Sequence, residues 1–291
     1  MQTQTLKHTD EIQGYDGMSN RALKGFQTLI FKVSGITMSD AKKSLIAGRL
    51  TKRLRALNLN SYDEYLHYLT KGEGTHSGEV ENFTNLLTTN ETYFYREPQH
   101  FAFLKKEILY KHNSDQAIRI WSAASSSGEE AYTLAMVLAE EFGANANWMV
   151  MGTDISTSMI KAAQQAIYSE QRVRMVPDDI RYKYLLKGTG EYNGYVSVVP
   201  EIKKHVHFEH YNLVESTLKT ELFDVIFCRN VLIYFNQQTK KKVMERLCRQ
   251  LKQGSYLMTG HSESLHGMLP ELKSVSPSVY LKANQTNGLI S

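Results

Sequence analysis

The sequence predicts an α/β protein: a mostly parallel sheet with helices on both faces, preceded by a small all-α domain and interrupted by a small antiparallel flap. Three observations carry this. From about residue 117, short apolar runs alternate with helical stretches, the pattern of parallel strands joined by helical crossovers. Residues 15–87 carry helical spacing instead. Around residues 182–210 the rhythm breaks into glycines followed by alternating residues. The expected limits are therefore 15–87 for the helical domain, 88–284 for the sheet domain with its insertion at about 182–210, and 285–291 for a frayed tail.

In the helical region, "NRALKGFQTLIFKVSG" stops at Gly35, and "MSDAKKSLIAGRLTKRLRALNL" comes next with Ser39 as its N-cap. Ile46, Leu50, Leu54 and Leu57 share one face of this second helix, with Lys42, Arg49, Lys52 and Arg53 along its flank. That flank reads either as a solvated face or as a basic ridge that docks an acidic helix. A polar segment, "KGEGTHSGE", separates these first helices from the rest of the chain. Then "AIRIWSA" is a buried strand, "EEAYTLAMVLAEEFG" a helix ending at Gly143, "WMVMGTD" a strand and "STSMIKAAQQAIYS" a helix. The flap is "YKYLLKGTGEYNGYVSVVPEIKKHVHFEHYNL", with glycines at 188, 190 and 194. "FDVIFCRN", "QTKKKVMERLCRQL" and "GSYLMTG" continue as strand, helix and strand. Sheets of this kind bind ligands at the carboxyl ends of their strands.

Composition narrows the function classes. A hydrophobic fraction of 42 % with 22 % charged residues is that of an ordinary globular protein. No apolar run approaches the ~18 residues of a spanning helix. "MQTQTLKHTDEIQG" lacks the apolar stretch of a signal peptide, so a cytoplasmic location and no membrane insertion are expected. Cys228 and Cys248 can form neither a disulfide framework nor a metal quartet, and no His/Cys/Asp cluster shows ligand spacing, so no metal is expected. A net charge of +4 argues against a nucleic-acid partner, although a local basic patch can still select an acidic protein.

Several stretches carry chemistry. "TTNETYFYRE", residues 88–97, sets three aromatics among hydroxyls, carboxylates and an arginine, which suits the wall of a small-molecule pocket. "SAASSSGEE", residues 122–130, lets a ligand approach the backbone after a first strand, but Ser127 and Glu130 also satisfy a capping box. Asp154 ends the next strand, where such folds hold the ribose hydroxyls of an adenine-bearing ligand. The loop lacks the diphosphate glycine fingerprint, which favours S-adenosylmethionine (SAM), a nucleoside without phosphate, over a dinucleotide. "FCRNVLIYF" places Arg229, Asn230 and Tyr234 at a strand end, where a plain turn with a helix start would use them too. "YNLVES" adds Asn212 and Leu213, suited to an adenine edge and face.

Together "TTNETYFYRE", "WSAASSSGEEAY", "GTDIS", "FDVIFCRNVLIYF" and "GHSESL" resemble the motifs of the CheR family, SAM-dependent methyltransferases that esterify glutamates of bacterial chemoreceptors. The resemblance covers roughly residues 15–283, with the motifs in order. It implies a Rossmann-like methyltransferase fold and a SAM site made by Asn90, Thr92, Arg96, Glu130, Asp154, Asn212, Leu213, Arg229 and Asn230. It places Arg96 and Tyr234 nearest the transferred methyl as catalytic residues, with S-adenosylhomocysteine (SAH) as product. Arg49 and Arg53 resemble the surface that faces the cytoplasmic helical region of the receptor. In some members the flap also grips a receptor C-terminal tether peptide, which would engage Lys187, Gly188, Gly190 and Gly194.

This chain departs from the family pattern at two places. Ala124 and Ser125 stand where many members have Gly and Cys. Lys187 replaces a frequent arginine, and Ser197 offers no second basic group, which puts tether binding in question. The resemblance implies a monomer that needs no general base, because an ionised glutamate is already a nucleophile at neutral pH. A lone histidine such as His261 is read as a structural, hydrogen-bonded group. Two rival functions stand beside this one: a SAM/SAH-sensing module without turnover, and a methyltransferase acting on another protein or on RNA.

Overall fold

The computed structural model describes residues 17–112, 116–218 and 220–283. The tail at 285–291, residues 15 and 16, and the first fourteen residues lie outside the described residues. The chain divides into two compact units, one up to Thr88 and one from Thr89.

The first unit is helical. α1 (Asn20–Ser34) starts at Ser19, whose hydroxyl accepts from the Ala22 N–H, and stops at Gly35 in the left-handed conformation, φ 72°. Its buried stripe of Ala22, Leu23, Phe26 and Ile30 has helical spacing. α2 (Lys43–Ala56) begins after a 3-10 turn, Asp40–Lys42, and the Ser39 hydroxyl makes no cap bond. Ser39 therefore holds the N-cap position of the turn that leads into α2, without the expected side-chain bond. Lys24 and Gln27 both donate to the Asp40 carboxylate, at 2.7 and 3.0 Å, and hold the segment in the tighter turn. α3 (Tyr62–Lys71) and α4 (Glu79–Leu87) complete the unit. Phe26 sits 5.9 Å from the ring of Tyr65 and 5.8 Å from that of Phe83.

The second unit contains α5 (Gln99–Phe103), β1 (Ile118–Ala123), α6 (Glu129–Phe142), β2 (Trp148–Asp154), α7 (Thr157–Gln165), β3 (Ile167–Ser169), α8 (Asp178–Tyr184) and β4 (Leu185–Lys187). It continues with β5 (Tyr195–Val198), α9 (Pro200–Lys203), β6 (Val206–His210), β7 (Phe223–Cys228), α10 (Gln237–Gln250), β8 (Leu251–Thr259), β9 (Leu272–Ser276) and β10 (Val279–Lys282). Seven strands form one sheet in the order β6-β2-β1-β7-β8-β10-β9. The five from β6 to β8 run parallel, and β10 and β9 close the far edge antiparallel. Burial explains the pattern: Ile120, Trp121, Val150, Val225, Ile226 and Phe227 are covered on both faces of the sheet.

The flap differs from its expected limits. A separate antiparallel sheet, β3-β5-β4, spans 167–198, while Val206–His210 pairs in parallel with β2 and belongs to the main sheet. Ala166 takes φ 55° and ends α7, so Ile167–Ser169 becomes a strand where the sequence continues a helix. A half-exposed edge strand alternates in the same way whether its neighbour is parallel or antiparallel, which is why 206–210 read as flap. Among the described residues no helix is long and apolar enough to cross a membrane.

Candidate active site

The strand order reverses between β1 and β7, which makes the carboxyl ends of β1, β2 and β7 the natural ligand position. The loop after β1 is unusual: Ala124, Ser126 and Gly128 all take positive φ, at 68°, 49° and 95°. A Cβ at Gly128 would meet the Ala163 Cβ at 2.9 Å and Phe208 at 3.0 Å, so only glycine fits. The loop is tied from below by Asp154. One of its carboxylate oxygens accepts from the Ser126 N–H at 2.9 Å and the other from the Ser156 N–H at 2.8 Å. Burial pushes the Asp154 carboxyl up, and these backbone donors pull it back. Ser156, two residues later, is the N-cap of α7. Each Asp154 oxygen keeps a second lone pair, so the pair of hydroxyls on a ribose can still be accepted there.

Glu130 does not close a capping box. Its carboxylate accepts from the Ser122 hydroxyl at 2.7 Å and from Arg229 Nε at 2.8 Å, while Ser127 donates to Glu129. Arg229 is a buried post with its side chain 2 % exposed. Its remaining nitrogens donate to the Arg96 carbonyl at 2.7 Å and reach His100 Nδ1 at 3.0 Å. The structure therefore places the Arg229 side chain inside the wall, joining the end of β7 to α6 and to the 89–97 segment. Asn230 comes next at φ 58°; its N–H donates to Glu263 at 2.7 Å and its amide to Glu97 at 3.2 Å. Tyr234 is half-buried at the end of a 3-10 turn, Leu232–Tyr234. Asn212 turns its own loop by accepting from the Val214 N–H, and Leu213 beside it is buried.

The aromatic run divides its labour. Phe94 is fully buried and meets Tyr168 edge-on at 4.9 Å, Tyr95 packs on Phe101 at 5.5 Å, and Tyr93 stays exposed with Arg96 over its ring at 5.8 Å. Arg96 also donates to the Glu91 carbonyl at 2.7 Å, and Asn90 and Thr92 are half-buried. The Asn90 carbonyl accepts from the Ser126 hydroxyl at 3.2 Å, which joins this segment to the loop after β1.

Three further groups come together that the sequence did not reveal. Glu97, His100 and His261 each offer a ligand atom within 4.8 Å of the others, a grouping the fold makes and the sequence spacing does not show. The two imidazoles stack with centroids 4.9 Å apart and planes 17° from parallel, and Arg229 lies on His100 Nδ1. Burial, with Arg229 beside it, pulls the His100 pKa down to about 4. Another missed group, Glu263, lies in the quoted "GHSESL" and accepts from the N–H groups of Asn230, Gly260 and Ile233, pinning the turn after β7.

The remaining expected residues lie elsewhere. Arg49 donates to the Leu87 and Thr88 carbonyls at 2.8 and 3.0 Å and so caps the end of α4. Arg53 forks onto the buried Glu79, which also accepts from Tyr65 and Asn82. Burial alone would raise the Glu79 carboxyl, but these donors outweigh it and hold it low. Both arginines are therefore engaged within their own unit, and the exposed cations of this helix are Lys52 and Arg55, with Lys42 just before it. Lys187 is exposed on β4, 3.7 Å from Glu170. Gly188, Gly190 and Gly194 shape the β4–β5 connection, the last two at φ 60° and 84°.

An acid at the end of β2, a cramped loop after β1 without a diphosphate fingerprint, and a polar wall on β7 define a nucleoside-binding domain of the Rossmann-like methyltransferase class. Residues 21–88 match the all-alpha domain of the CheR methyltransferases, and residues 90–281 match their SAM binding domain. The chemotaxis protein methyltransferase of Salmonella typhimurium is 36 % identical over 254 residues, 87 % of this chain and 86 % of its own. That of Escherichia coli is 36 % identical over 249 residues, 85 % of each chain, and that of Borreliella burgdorferi 36 % over 264 residues, 87 % and 91 %. The chain belongs to the CheR methyltransferase family and is a SAM-dependent methyltransferase.

Proposed function

We propose that this protein transfers a methyl group from SAM to glutamate side chains in the cytoplasmic helical region of chemoreceptors. The observation that carries this reading is the match to both CheR domains, together covering nearly the whole of residues 21–281, with relatives that are chemotaxis protein methyltransferases. Asp154 is the ribose ligand. Asn212 and Leu213 take the adenine, and Asn90, Thr92, Arg96 and Asn230 line the remainder, with Glu130 and Arg229 fixing that wall from behind. The bound SAM supplies a methyl on a cationic sulfonium; the glutamate oxygen bonds to it as the sulfur–carbon bond breaks, leaving neutral SAH and a methyl ester.

The residues of this chain have a limited task, since the carboxylate is already ionised and no proton moves. Arg96 orients a carboxylate through its planar fork, and Tyr234 holds the line of attack through its hydroxyl. On the first unit, the exposed Lys42, Lys52 and Arg55 form the basic ridge for the receptor, with Arg49 and Arg53 bracing it. The flap keeps its glycines and an open β4 edge for an added strand, with Lys187 beside them on β4. The domain limits are 17–88 and 89–283, the protein acts as a cytoplasmic monomer, and no metal takes part.

The test is mass-spectrometric mapping of the methyl after incubation with SAM and receptor cytoplasmic fragments. Methyl groups on glutamate support the reading. Methyl groups on lysine or on RNA, or SAM binding without transfer, would replace it with one of the rival functions.

A further inference from the structure

Two residues of the flap, one in β3 and one in the turn after it, reach the loop after β1. The loop holds Ala124 and Ser126 in left-handed backbone, and non-glycine residues keep that conformation only where the surroundings impose it. Asp154 and the Asn90 carbonyl secure Ser126 from one side. The other half of the loop is secured by the flap. Tyr168 of β3, 3 % exposed, donates its hydroxyl to the Ser127 carbonyl at 2.7 Å. Arg172, in the 3-10 turn Glu170–Val173 just after β3, donates to the Ser127 hydroxyl at 2.9 Å and to the Glu129 carboxylate. The Ser127 hydroxyl in turn donates to the other Glu129 oxygen at 2.8 Å.

Glu129 is fully buried, and Arg172 is its one ion-pair partner among the described residues. A Cβ at Gly128 would stand 3.1 Å from the Tyr168 hydroxyl, so Tyr168 lies close against the loop at this glycine. Behind these two residues stands the rest of the flap: β3 pairs with β5 from Ile167 to Ser169, and the Glu170 N–H donates to the Gly194 carbonyl at 3.0 Å.

We infer that Tyr168 and Arg172 are positioning residues that fix the Ser127–Glu129 half of the SAM loop and couple the order of the β3-β5-β4 flap to SAM binding. The inference rests on the reading that this loop takes SAM. Coupling of this kind is reciprocal: SAM that orders the loop orders the flap, and whatever orders the flap tightens SAM.

The experiment is hydrogen exchange on the full chain with and without saturating SAH, joined to steady-state kinetics of Tyr168→Phe and Arg172→Lys. Both substitutions are gentle, since the first keeps the ring and the second keeps a cation beside Glu129. In the wild type, SAH is expected to slow exchange in residues 122–130 and also in 167–198. In each variant the flap protection shrinks, and the KM for SAM rises about 3- to 10-fold, the value of one or two hydrogen bonds. Meanwhile kcat stays within about 2-fold, and the KM for the receptor fragment is unchanged. A merely structural role would lower the melting temperature and leave that split absent. Protection of the loop without protection of the flap overturns the coupling, as does an unchanged KM for SAM in both variants. A wild-type loop that SAH does not protect overturns the SAM reading of the loop itself, and the inference with it.

Discussion

Replacing Arg229 with methionine removes a buried cation and leaves its anion behind. The side chain is 2 % exposed and that of Glu130 11 % exposed, at an Nε to Oε2 distance of 2.8 Å. Methionine fills much of the same volume against Phe101 and Phe227, whose ring centroids lie 5.5 and 5.8 Å from the guanidinium carbon, so the cost is electrostatic. Among the described residues Glu130 then keeps the Ser122 hydroxyl as its donor. Removing one partner of a buried ion pair costs about 3 to 5 kcal/mol. The Arg96 carbonyl loses its donor as well, which places the expected loss toward the upper part of that range. For a unit of this size each kcal/mol moves Tm by about 2 to 4 °C, so the melting temperature should fall by roughly 10 °C or more. Urea unfolding with the double-mutant cycle against Glu130→Gln is the assay. The paired variant should cost less than the sum of the singles by about 1 kcal/mol or more. A single variant within about 1 kcal/mol of wild type, or an additive cycle, would refute the post.

The same geometry predicts four other outcomes. His100 stays neutral in the folded protein down to about pH 4, whereas an unfolded histidine protonates near 6.5. The unfolded chain therefore binds the extra proton in that window, and stability falls as pH drops through it. The loss has a ceiling of about 3 kcal/mol that nearby solvent screens downward, and His100→Gln should flatten the slope in pH-dependent urea unfolding. Ala124→Gly relieves φ 68° and should stabilise by about 0.5 kcal/mol after the entropy of the added glycine is counted, read from urea midpoints. Glu263→Ala leaves three N–H groups without their acceptor and should cost about 2 to 4 kcal/mol and weaken SAH binding by calorimetry. Tyr234→Phe should lower kcat about 10-fold or more at unchanged Tm; unchanged turnover would remove Tyr234 from the chemistry.

The parts of the fold that were legible in the sequence are those whose apolar runs are continuous. β2 occupies the residues of "WMVMGTD", and α6 ends at Gly143 where the glycine predicts it. The hairpin of β9 and β10 was not legible, because Pro277 and Ser278, the latter at φ 59°, split two short and half-exposed runs. β3 was hidden for a related reason: Ala166 ends α7 in a conformation that sequence usually marks with glycine. At the site, Asp154 and the loop after β1 could be read because strand ends and small residues are local signals. Arg229 was visible as a residue but not as a post, since its partners at 96, 100 and 130 come from other elements. His261 lies far in sequence from Glu97 and His100 and meets them only in the folded chain. Arg49 and Arg53 show the converse: in the basic stripe, these two bond Leu87, Thr88 and Glu79, while Lys42 and Lys52 stay exposed.

The central claim is that the acceptor is a carboxylate and the product an ester. The direct measurement is to label receptor cytoplasmic fragments with tritiated methyl from SAM in the presence of this protein and then expose them to mild base. Release of the label as volatile methanol, absent when the methylated glutamates are replaced by alanine, is the expected result. Label that survives base, or no label from a protein that still binds SAM, would contradict the account.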